Sequence, residues 1–150
     1  MPDFFFPNYS LKTKNESNKT LVYDELRNKW IQLSPEENVR QHLWRYLNIE
    51  FNYPKSLMEI EKKVVVNKLE KRFDLLISNK SAKPLLIAEC KAPNVKLNEK
   101  TLEQILRYNI QLKANFLLIT NGIELFCSKI DFKKGNLSFL KKIPNFHDIS

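Results

Sequence analysis

Glycine is nearly absent from this chain, which has only Gly122 and Gly135 among its 150 residues. A Walker phosphate-binding loop or a dinucleotide-binding turn needs two or three glycines close together, because the backbone there must approach the phosphates. The sequence therefore excludes a P-loop motor and a Rossmann cofactor site. Zinc sites of the usual spacing are excluded too, since Cys90 and Cys127 lie far apart and form no Cys-x-x-Cys pair.

Long apolar runs are missing as well. No segment approaches the roughly 18 consecutive apolar residues that span a bilayer, and the first residues lack the basic segment and apolar run of a signal peptide. Two widely separated cysteines fit a reducing compartment. We therefore expect a cytoplasmic protein with no membrane partner.

Basic side chains are abundant by contrast: 25 Lys and Arg residues stand against 17 Asp and Glu residues, which gives a net charge of +8. Clustered Lys and Arg favour a polyanionic partner such as nucleic acid, because binding releases the counterions condensed on phosphates. A solubilising surface is the alternative explanation. The hydrophobic content of 43% is enough for a core, and 150 residues predict a single domain.

The predicted domain covers residues 1–150 and has four parts. Residues 1–19 resemble a loosely attached N-terminal arm, 20–33 a short hairpin, 34–130 the core and 131–150 a C-terminal extension. Four lysines of the extension either widen a DNA track or belong to a solvated tail: Lys133, Lys134, Lys141 and Lys142.

The core alternates between helical and extended patterns. Ser34 and Pro35 mark the start of a first helix that should end near Glu50, and a second helix is predicted over 101–113. The predicted buried stripe of the second helix consists of Leu102, Ile105, Leu106 and Ile110. Strands are predicted over 59–66, 71–78, 84–91, 116–120 and 123–130. This order predicts an α/β fold, a mixed sheet of about five strands flanked by helices, in which the strand–helix–strand step makes a parallel pair.

Three charged residues stand out near the ends of two neighbouring strands: Asp74, Glu89 and Lys91. Glu89 and Lys91 share a strand face, and the turn near Ser81 brings Asp74 next to Glu89 on the antiparallel neighbour. Two carboxylates that approach each other repel, and a divalent cation such as Mg²⁺ relieves the repulsion by taking oxygen ligands from both. The alternative is a solvated ion-pair cluster, in which Lys91 pairs with Glu89 and Arg72 pairs with Asp74.

Strand alternation assigns the neighbours of this cluster to faces of the sheet. Asp74 should lie on the face opposite to three apolar residues of its own strand, Phe73, Leu75 and Ile77. Cys90 should point to the packed face, so a buried, inert thiol is favoured over a nucleophile.

The segments Arg72-Phe73-Asp74 and Ile87-Ala88-Glu89-Cys90-Lys91-Ala92-Pro93 together resemble the PD-(D/E)xK nuclease signature. More narrowly, about residues 20–130 resemble the N-terminal nuclease domain of type I restriction enzyme R subunits. Gln104 and Tyr108 match the Q-xxx-Y motif of the RecB-type branch of that superfamily. Further matching segments are 34–41, 52–55 and 120–122.

The resemblance implies a restriction-endonuclease-like fold and a metal-dependent nuclease. Asp74 and Glu89 would bind Mg²⁺, for which Mn²⁺ can substitute, with the Cys90 carbonyl as a further ligand. Lys91 would assist the attacking water, and Gln104 would belong to the catalytic site. One or two metal ions are compatible with this number of carboxylates.

The resemblance also implies contacts around this centre. Tyr108 would face the site or the DNA backbone; the alternative for Gln104 and Tyr108 is a helix surface with a half-buried tyrosine. Arg72 and Arg40 are candidates for nucleic-acid contact, with a solvated side chain as the alternative for Arg40. The family often adds a glutamate from the first helix. Glu36 shares the phase of the buried helix positions and is our candidate, whereas Glu37 stands where a capping box needs it.

These observations predict a Mg²⁺-dependent DNA endonuclease that hydrolyses phosphodiester bonds. The alternative is a catalytically inactive DNA-binding or partner-docking module that keeps the fold. A full R subunit carries a motor that this chain lacks the glycines to form, so a separate motor or specificity subunit is an expected partner besides DNA. A homodimer is also compatible with double-strand cleavage, and RNA is the less favoured substrate.

Overall fold

The computed structural model describes residues 3–150, so Met1 and Pro2 of the predicted arm lie outside the described residues. Within that range the chain forms two sheets and three α-helices. The elements in chain order are β1 (Thr13–Glu16), β2 (Lys19–Asp24), β3 (Lys29–Gln32), α1 (Pro35–Phe51), a 3₁₀ turn (Lys55–Leu57), β4 (Met58–Val66), β5 (Leu69–Ser78), β6 (Pro84–Cys90), α2 (Glu99–Leu112), β7 (Phe116–Thr120), β8 (Leu125–Asp131), β9 (Asn136–Leu140) and α3 (Phe146–Ile149).

The larger sheet has six strands in the order β4-β5-β6-β7-β8-β9. All neighbours are antiparallel except β6 and β7, which are parallel and joined by the crossover helix α2. The predicted mixed α/β sheet is therefore confirmed, and its predicted helices and strands end within two residues of the observed bounds. The prediction of about five strands missed β9, because this edge strand is mostly exposed and has a weak apolar pattern.

The smaller sheet contains three antiparallel strands, where the sequence predicted a two-stranded hairpin. The additional strand, β1, comes from the predicted arm. Ser17 and Asn18, which connect β1 to β2, both have positive φ, 51° and 62°. Such a two-residue connection matches the right-handed twist of a hairpin, but its usual sequence signal is Asn-Gly, which is absent here.

Two apolar cores cover the two faces of the large sheet. Leu75 and Ile77 belong to the core under α1, while Phe73 and Leu76 belong to the core that includes residues of α2. The prediction that Phe73 shares a face with Leu75 and Ile77 is therefore wrong. Across from this part of β5, Glu61 of β4 has a positive φ of 57°, and the β4–β5 ladder has no pair between Ile60–Leu75 and Lys62–Phe73. The strand is irregular at the point where the predicted alternation fails.

The helices follow their sequence signals closely. The Ser34 hydroxyl accepts the Glu37 backbone N–H at 3.0 Å and caps α1. In α2, Ile105 is buried as predicted, whereas Ile110 is 65% exposed and does not belong to the buried stripe. Ile110 lies two residues after buried Tyr108, which places it about 200° around the helix. No helix formed by residues 3–150 is long and apolar enough to cross a membrane.

Both terminal segments pack against the rest of the molecule. Phe6 is buried in the core under α1, and the Phe5 backbone N–H donates to the Gly122 carbonyl at 2.9 Å. At the other end Phe146 is 1% exposed, and the Tyr53 hydroxyl donates to the Pro144 carbonyl at 2.7 Å. The prediction of a loosely attached arm is therefore wrong, because Phe6 fills part of the core. The C-terminal segment docks through Phe146, while the four lysines of the predicted extension are exposed, as the solvated alternative expects: Lys133, Lys134, Lys141 and Lys142.

Candidate active site

The candidate site lies where β5 and β6 stop pairing. Their ladder reaches Leu75 opposite Ala88, and one step further Asp74 faces Glu89. The Cys90 backbone N–H donates to Asp74 Oδ2 at 2.7 Å, so a carboxylate takes the place of a ladder carbonyl. The structure thus brings Asp74 and Glu89 together as the predicted register requires.

Both carboxylates are buried, Asp74 with 6% and Glu89 with 5% of the residue exposed. Burial, followed by the charge of Glu89, raises the pKa of Asp74 to about 7, although the Cys90 N–H and Arg40 oppose the shift. The alternative of a solvated ion-pair cluster is therefore wrong. A buried carboxylate with such a pKa is stabilised by a proton or by a cation at neutral pH.

Three cationic side chains surround the pair. Lys71 Nζ lies 2.9 Å and Lys91 Nζ 3.9 Å from Glu89 Oε1. Arg40 Nη2 lies 3.2 Å from Asp74 Oδ1. The expected ion pair between Lys91 and Glu89 is thus present, although its distance of 3.9 Å is long. Asp74 pairs with Arg40 rather than with Arg72.

Arg72 lies away from this centre. Its side chain is 56% exposed, and its Nε is 3.2 Å from Glu70 Oε1 on the same strand. The predicted pairing of Arg72 with Asp74 is wrong, because Asp74 is buried beside Arg40 whereas Arg72 lies on the exposed surface. Arg72 is therefore accessible to a nucleic acid, but it makes no contact with Asp74.

Arg40 is buried and makes ion pairs with three carboxylates, so the solvated alternative is wrong. Besides Asp74, it lies 3.5 Å from Glu61 and 3.6 Å from Glu37. Burial disfavours its charge, but Glu37 and Asp74 outweigh that effect and raise the pKa of Arg40. Its guanidinium therefore connects α1 to the end of β5.

The two glutamates at the start of α1 have different surroundings. Partial burial raises the pKa of Glu36, the charge of Asp74 raises it further, and Arg40 and Lys91 lower it, so Glu36 lies within electrostatic reach of the site. The Glu37 backbone N–H donates to the Ser34 side chain that caps α1. The Glu37 carboxylate forms no capping box, because it accepts hydrogen bonds from Arg27 at 2.9 Å and from Gln41. The arrangement agrees with Glu36 as the candidate that faces the site.

Three further predicted residues are placed as follows. Cys90 is fully buried with Ala88 in the core under α1, and burial raises the pKa of its thiol, so a nucleophilic cysteine is excluded by its surroundings. Gln104 is exposed on α2. Tyr108 is buried in the other core with Phe73. Gln104 and Tyr108 therefore differ in accessibility, and only Gln104 is open to a ligand.

Sequence reasoning missed two residues of the site. Lys71 contacts Glu89 although it lies 18 residues earlier in the chain. Glu61 contacts Arg40 from the edge strand β4. Neither residue belongs to the recognised motif, and only the pairing of three strands reveals them.

The residues present fit a hard divalent cation. Among the described atoms, Glu89 Oε2 is buried without a hydrogen-bond partner and thus retains an acceptor that a cation satisfies. Carboxylate and carbonyl oxygens are ligands that Mg²⁺ prefers, and this ion usually keeps several waters. Within residues 3–150 no group of three or more His, Cys, Asp and Glu residues forms a cage. A cation here would therefore complete its shell with the Cys90 carbonyl, water or phosphate.

An apolar groove of about 400 Å³ lies elsewhere, between the start of α2 and strands β7 to β9. Phe126 and Phe139 line it, and neither Asp74 nor Glu89 does. The groove is therefore separate from the carboxylate centre.

Sequence comparison identifies a family. Residues 35–144 match the family model described as type I restriction enzyme R protein N terminus. The match begins at the first residue of α1 and includes the whole Asp74, Glu89 and Lys91 centre. We found no similar protein among curated sequences.

Comparison of structures shows the fold. A fragment of an inferred HsdR subunit of a type I restriction enzyme from Vibrio vulnificus YJ016 superposes with a TM-score of 0.58 and 18% identity, over 78% of this chain and 24% of the other. An inferred nuclease of the DUF820 group from Anabaena variabilis ATCC 29413 gives a TM-score of 0.47 and 12% identity, over 90% and 87% of the two chains. This chain thus shares the fold of the HsdR fragment but spans about a quarter of its length.

Proposed function

The chain belongs to the family of type I restriction enzyme R protein N termini, and from this premise we propose that it is a Mg²⁺-dependent DNA endonuclease that hydrolyses phosphodiester bonds. One observation carries the proposal: Asp74 and Glu89 meet in a buried position, where the Glu89 Oε2 atom has no hydrogen-bond partner among the described residues. A purely structural ion-pair cluster gains nothing from such an atom, whereas a cation site needs it.

The cation would be held by Asp74, Glu89 and the Cys90 carbonyl. When bound, Mg²⁺ supplies a Lewis acid that lowers the pKa of a water molecule and stabilises charge on a phosphate. Mn²⁺, with similar oxygen preferences, is expected to substitute. The raised pKa of Asp74 supports this assignment, because a nearby cation restores the charged form that burial disfavours.

The side chains of the site have separable tasks. Lys91 is partly exposed and contacts Glu89 only at 3.9 Å, so its ammonium remains available to orient water or to donate to a phosphate oxygen. Arg40 is a positioning residue that holds Asp74 from α1. Glu36 lies within electrostatic reach of Asp74 and Lys91, where its carboxyl can accept a hydrogen bond from water. Exposed Gln104 is a candidate for contact with the DNA backbone.

The alternative function is an inactive module that binds DNA or docks onto a separate motor or specificity subunit. It is favoured by the Lys71 contact to Glu89 at 2.9 Å, which neutralises this carboxylate without a cation. A homodimer is a further proposal, since cutting both strands with one centre per chain requires two copies.

Cleavage of supercoiled plasmid in Mg²⁺ or Mn²⁺ tests the activity. We expect nicking or linearisation by the wild type and a loss of about 10²-fold or more in Lys91→Ala, since a positioned proton donor contributes that much. Lys80→Ala is the matched control, because this substitution removes the same charge from an exposed position on the β5–β6 turn. Equal cleavage by wild type and Lys91→Ala contradicts the assignment of Lys91.

Titration with Mn²⁺ tests the site independently of catalysis. We expect one binding event in the wild type that disappears in Asp74→Ala and persists in Asp148→Ala, an exposed carboxylate on α3. Metal binding without cleavage would support a site that awaits a partner subunit. Equal metal binding by wild type and Asp74→Ala favours the inactive module.

A further inference from the structure

The small sheet β1–β3 carries an aromatic and basic surface on the face turned away from the core. We propose that this face binds a segment of single-stranded DNA, with bases stacked on Tyr23 and Trp30 and phosphates neutralised by lysines. The proposal goes beyond the nuclease function, because it concerns a surface that contains none of the residues of the carboxylate centre and requires no cleavage.

The geometry of the sheet separates its two faces clearly. Val22 and Asp24 of β2 are fully buried, so they form the inner face. Tyr23 lies between them and therefore points outward, directly opposite Trp30 of β3. Both aromatic residues are half-buried, and their ring centroids are 5.4 Å apart in an edge-to-face arrangement. The outer face thus presents two adjacent aromatic surfaces.

Lysines lie over these rings. Lys12 Nζ is 5.0 Å from the centroid of Tyr23, and Lys14 Nζ is 4.3 Å from that of Trp30. Lys19, which is exposed, follows on the same face beside Glu16. Three lysines against one glutamate leave this face positively charged, so its chemistry complements a phosphate backbone.

Aromatic rings flanked by lysines suit the binding of a flexible nucleic-acid strand. Single strands are bound where aromatic rings accept stacked bases and a basic surface follows the backbone, largely without regard to sequence. An exposed ammonium over a ring is held weakly, so a base can replace it and leave the lysine to contact the adjacent phosphate. Duplex DNA offers no free base faces and gains little from these rings.

The proposed surface adjoins the carboxylate centre through the β2–β3 turn. Tyr23 and Trp30 form the second row from the turn, after Asp24 and Lys29. Arg27 within the turn pairs with Glu37 of α1. The Arg27 guanidinium also lies 3.9 Å from Glu61. A strand held on Tyr23 and Trp30 is therefore bound at the end of the small sheet that contacts the site.

Tryptophan fluorescence provides a direct readout in the full chain. Of the two tryptophans, Trp30 is half-exposed and Trp44 is 2% exposed, so a stacked base should quench Trp30. The probe is oligo(dT) of about 12 nucleotides, within the site sizes typical of such surfaces. EDTA is present, so the measurement depends on neither metal binding nor cleavage, and failure of the nuclease proposal would leave it unchanged.

Variants of the aromatic residue test stacking. Trp30→Ala should weaken oligo(dT) binding by at least about fivefold, the lower end for loss of one stacked base. Trp30→Phe keeps a ring and should retain most of the affinity, measured by anisotropy of a labelled oligonucleotide, while the fluorescence change disappears. Phe139→Ala is the matched control, because Phe139 is an exposed aromatic residue on the distant strand β9.

Variants of the lysines test the electrostatic part. Lys12→Ala and Lys14→Ala should each reduce the slope of log affinity against log salt by about 0.7, the value for one contact with a single strand. Lys80→Ala should leave the slope unchanged. The proposal is overturned if oligo(dT) does not bind at low salt, or if Trp30→Ala, folded with the circular dichroism spectrum of the wild type, binds it with unchanged affinity.

Discussion

Lys71 Nζ lies 2.9 Å from Glu89 Oε1, closer than the 3.9 Å of Lys91 to the same oxygen. The lysine of the recognised motif is thus not the main partner of the motif's own glutamate. Lys71 is largely buried and compensates Glu89, while Lys91 at the strand end stays accessible. In the proposed nuclease, Lys71 would stabilise the site and Lys91 would act on the ligand.

Replacing Lys71 should therefore affect stability and metal affinity in opposite directions. Lys71→Ala leaves buried Glu89 without its closest cation, and we expect the free energy of unfolding in EDTA to fall by about 1–3 kcal/mol. The Mn²⁺ affinity should rise, because a competing positive charge is removed. Urea denaturation and Mn²⁺ titration measure the two effects.

The control for Lys71 is Lys63→Ala, which breaks the exposed pair with Glu70 on the edge of the same sheet. A loss of only about 0.5 kcal/mol is expected there, because exposed ion pairs contribute little. Equal destabilisation by the two variants would contradict the assigned role of Lys71.

The pKa of Asp74 predicts how stability depends on pH in the absence of divalent cations. Its value of about 7 in the folded protein is higher than the ordinary value of about 4 in an unfolded chain. Folding therefore retains a proton that unfolding releases, and this contribution to stability is complete below about pH 4 and lost as the pH rises through about 7. Urea denaturation between these pH values should show decreasing stability.

Asp74→Asn is the matched variant, since its amide oxygen can still accept the Cys90 N–H without titrating. Its stability should change less with pH over the same interval. Identical pH dependence in wild type and Asp74→Asn would show that Asp74 titrates normally.

Arg40 should be among the most sensitive polar positions in the chain. Arg40→Ala leaves Glu37 and Asp74 buried without their shared cation, and we expect a loss of about 3–5 kcal/mol in the free energy of unfolding. Arg72→Ala, which removes an exposed guanidinium, should cost no more than about 0.5 kcal/mol. Thermal denaturation in EDTA compares the two, and similar melting temperatures would show that Arg40 is not required to compensate these carboxylates.

The C-terminal segment should be needed for the stability of the whole domain. Phe146→Ala removes a ring that is packed against Tyr53 at 5.5 Å between centroids, and a loss of about 3–5 kcal/mol is expected. Phe139→Ala removes an exposed ring of equal size and should cost less than about 0.5 kcal/mol. Urea denaturation measures both, and a small effect at Phe146 would mean that the segment undocks without consequence.

Local signals in the sequence were sufficient for the order of elements and for part of the site. Ser34 and Pro35 predicted the start of α1, because a side-chain cap and the fixed φ of proline act on the first turn of a helix alone. The apolar run of β6 ends at Glu89, which located the charged strand end. The antiparallel neighbourhood of Asp74 and Glu89 followed from one short turn.

Contacts between distant segments were not accessible in the same way. The docking of the arm and of the C-terminal segment was not predicted, because Phe6 and Phe146 carry no periodic pattern, and their burial depends on a gap that other elements leave in the core. The faces of β5 were misassigned at Phe73, next to the interruption of the β4–β5 ladder at Glu61, and no sequence signal marks such an irregularity.

The sequence by itself determined the α/β class, the helix and strand positions and the identity of Asp74, Glu89 and Lys91, because these depend on short-range periodicity and on a contiguous motif. Only the tertiary structure decided which cations approach the carboxylates. Arg40 of α1 contacts Asp74, which lies 34 residues later in the chain, and Lys71 of β5 contacts Glu89 of the neighbouring strand β6. Such pairings depend on register and burial, which arise only when the helix and the strands have packed together.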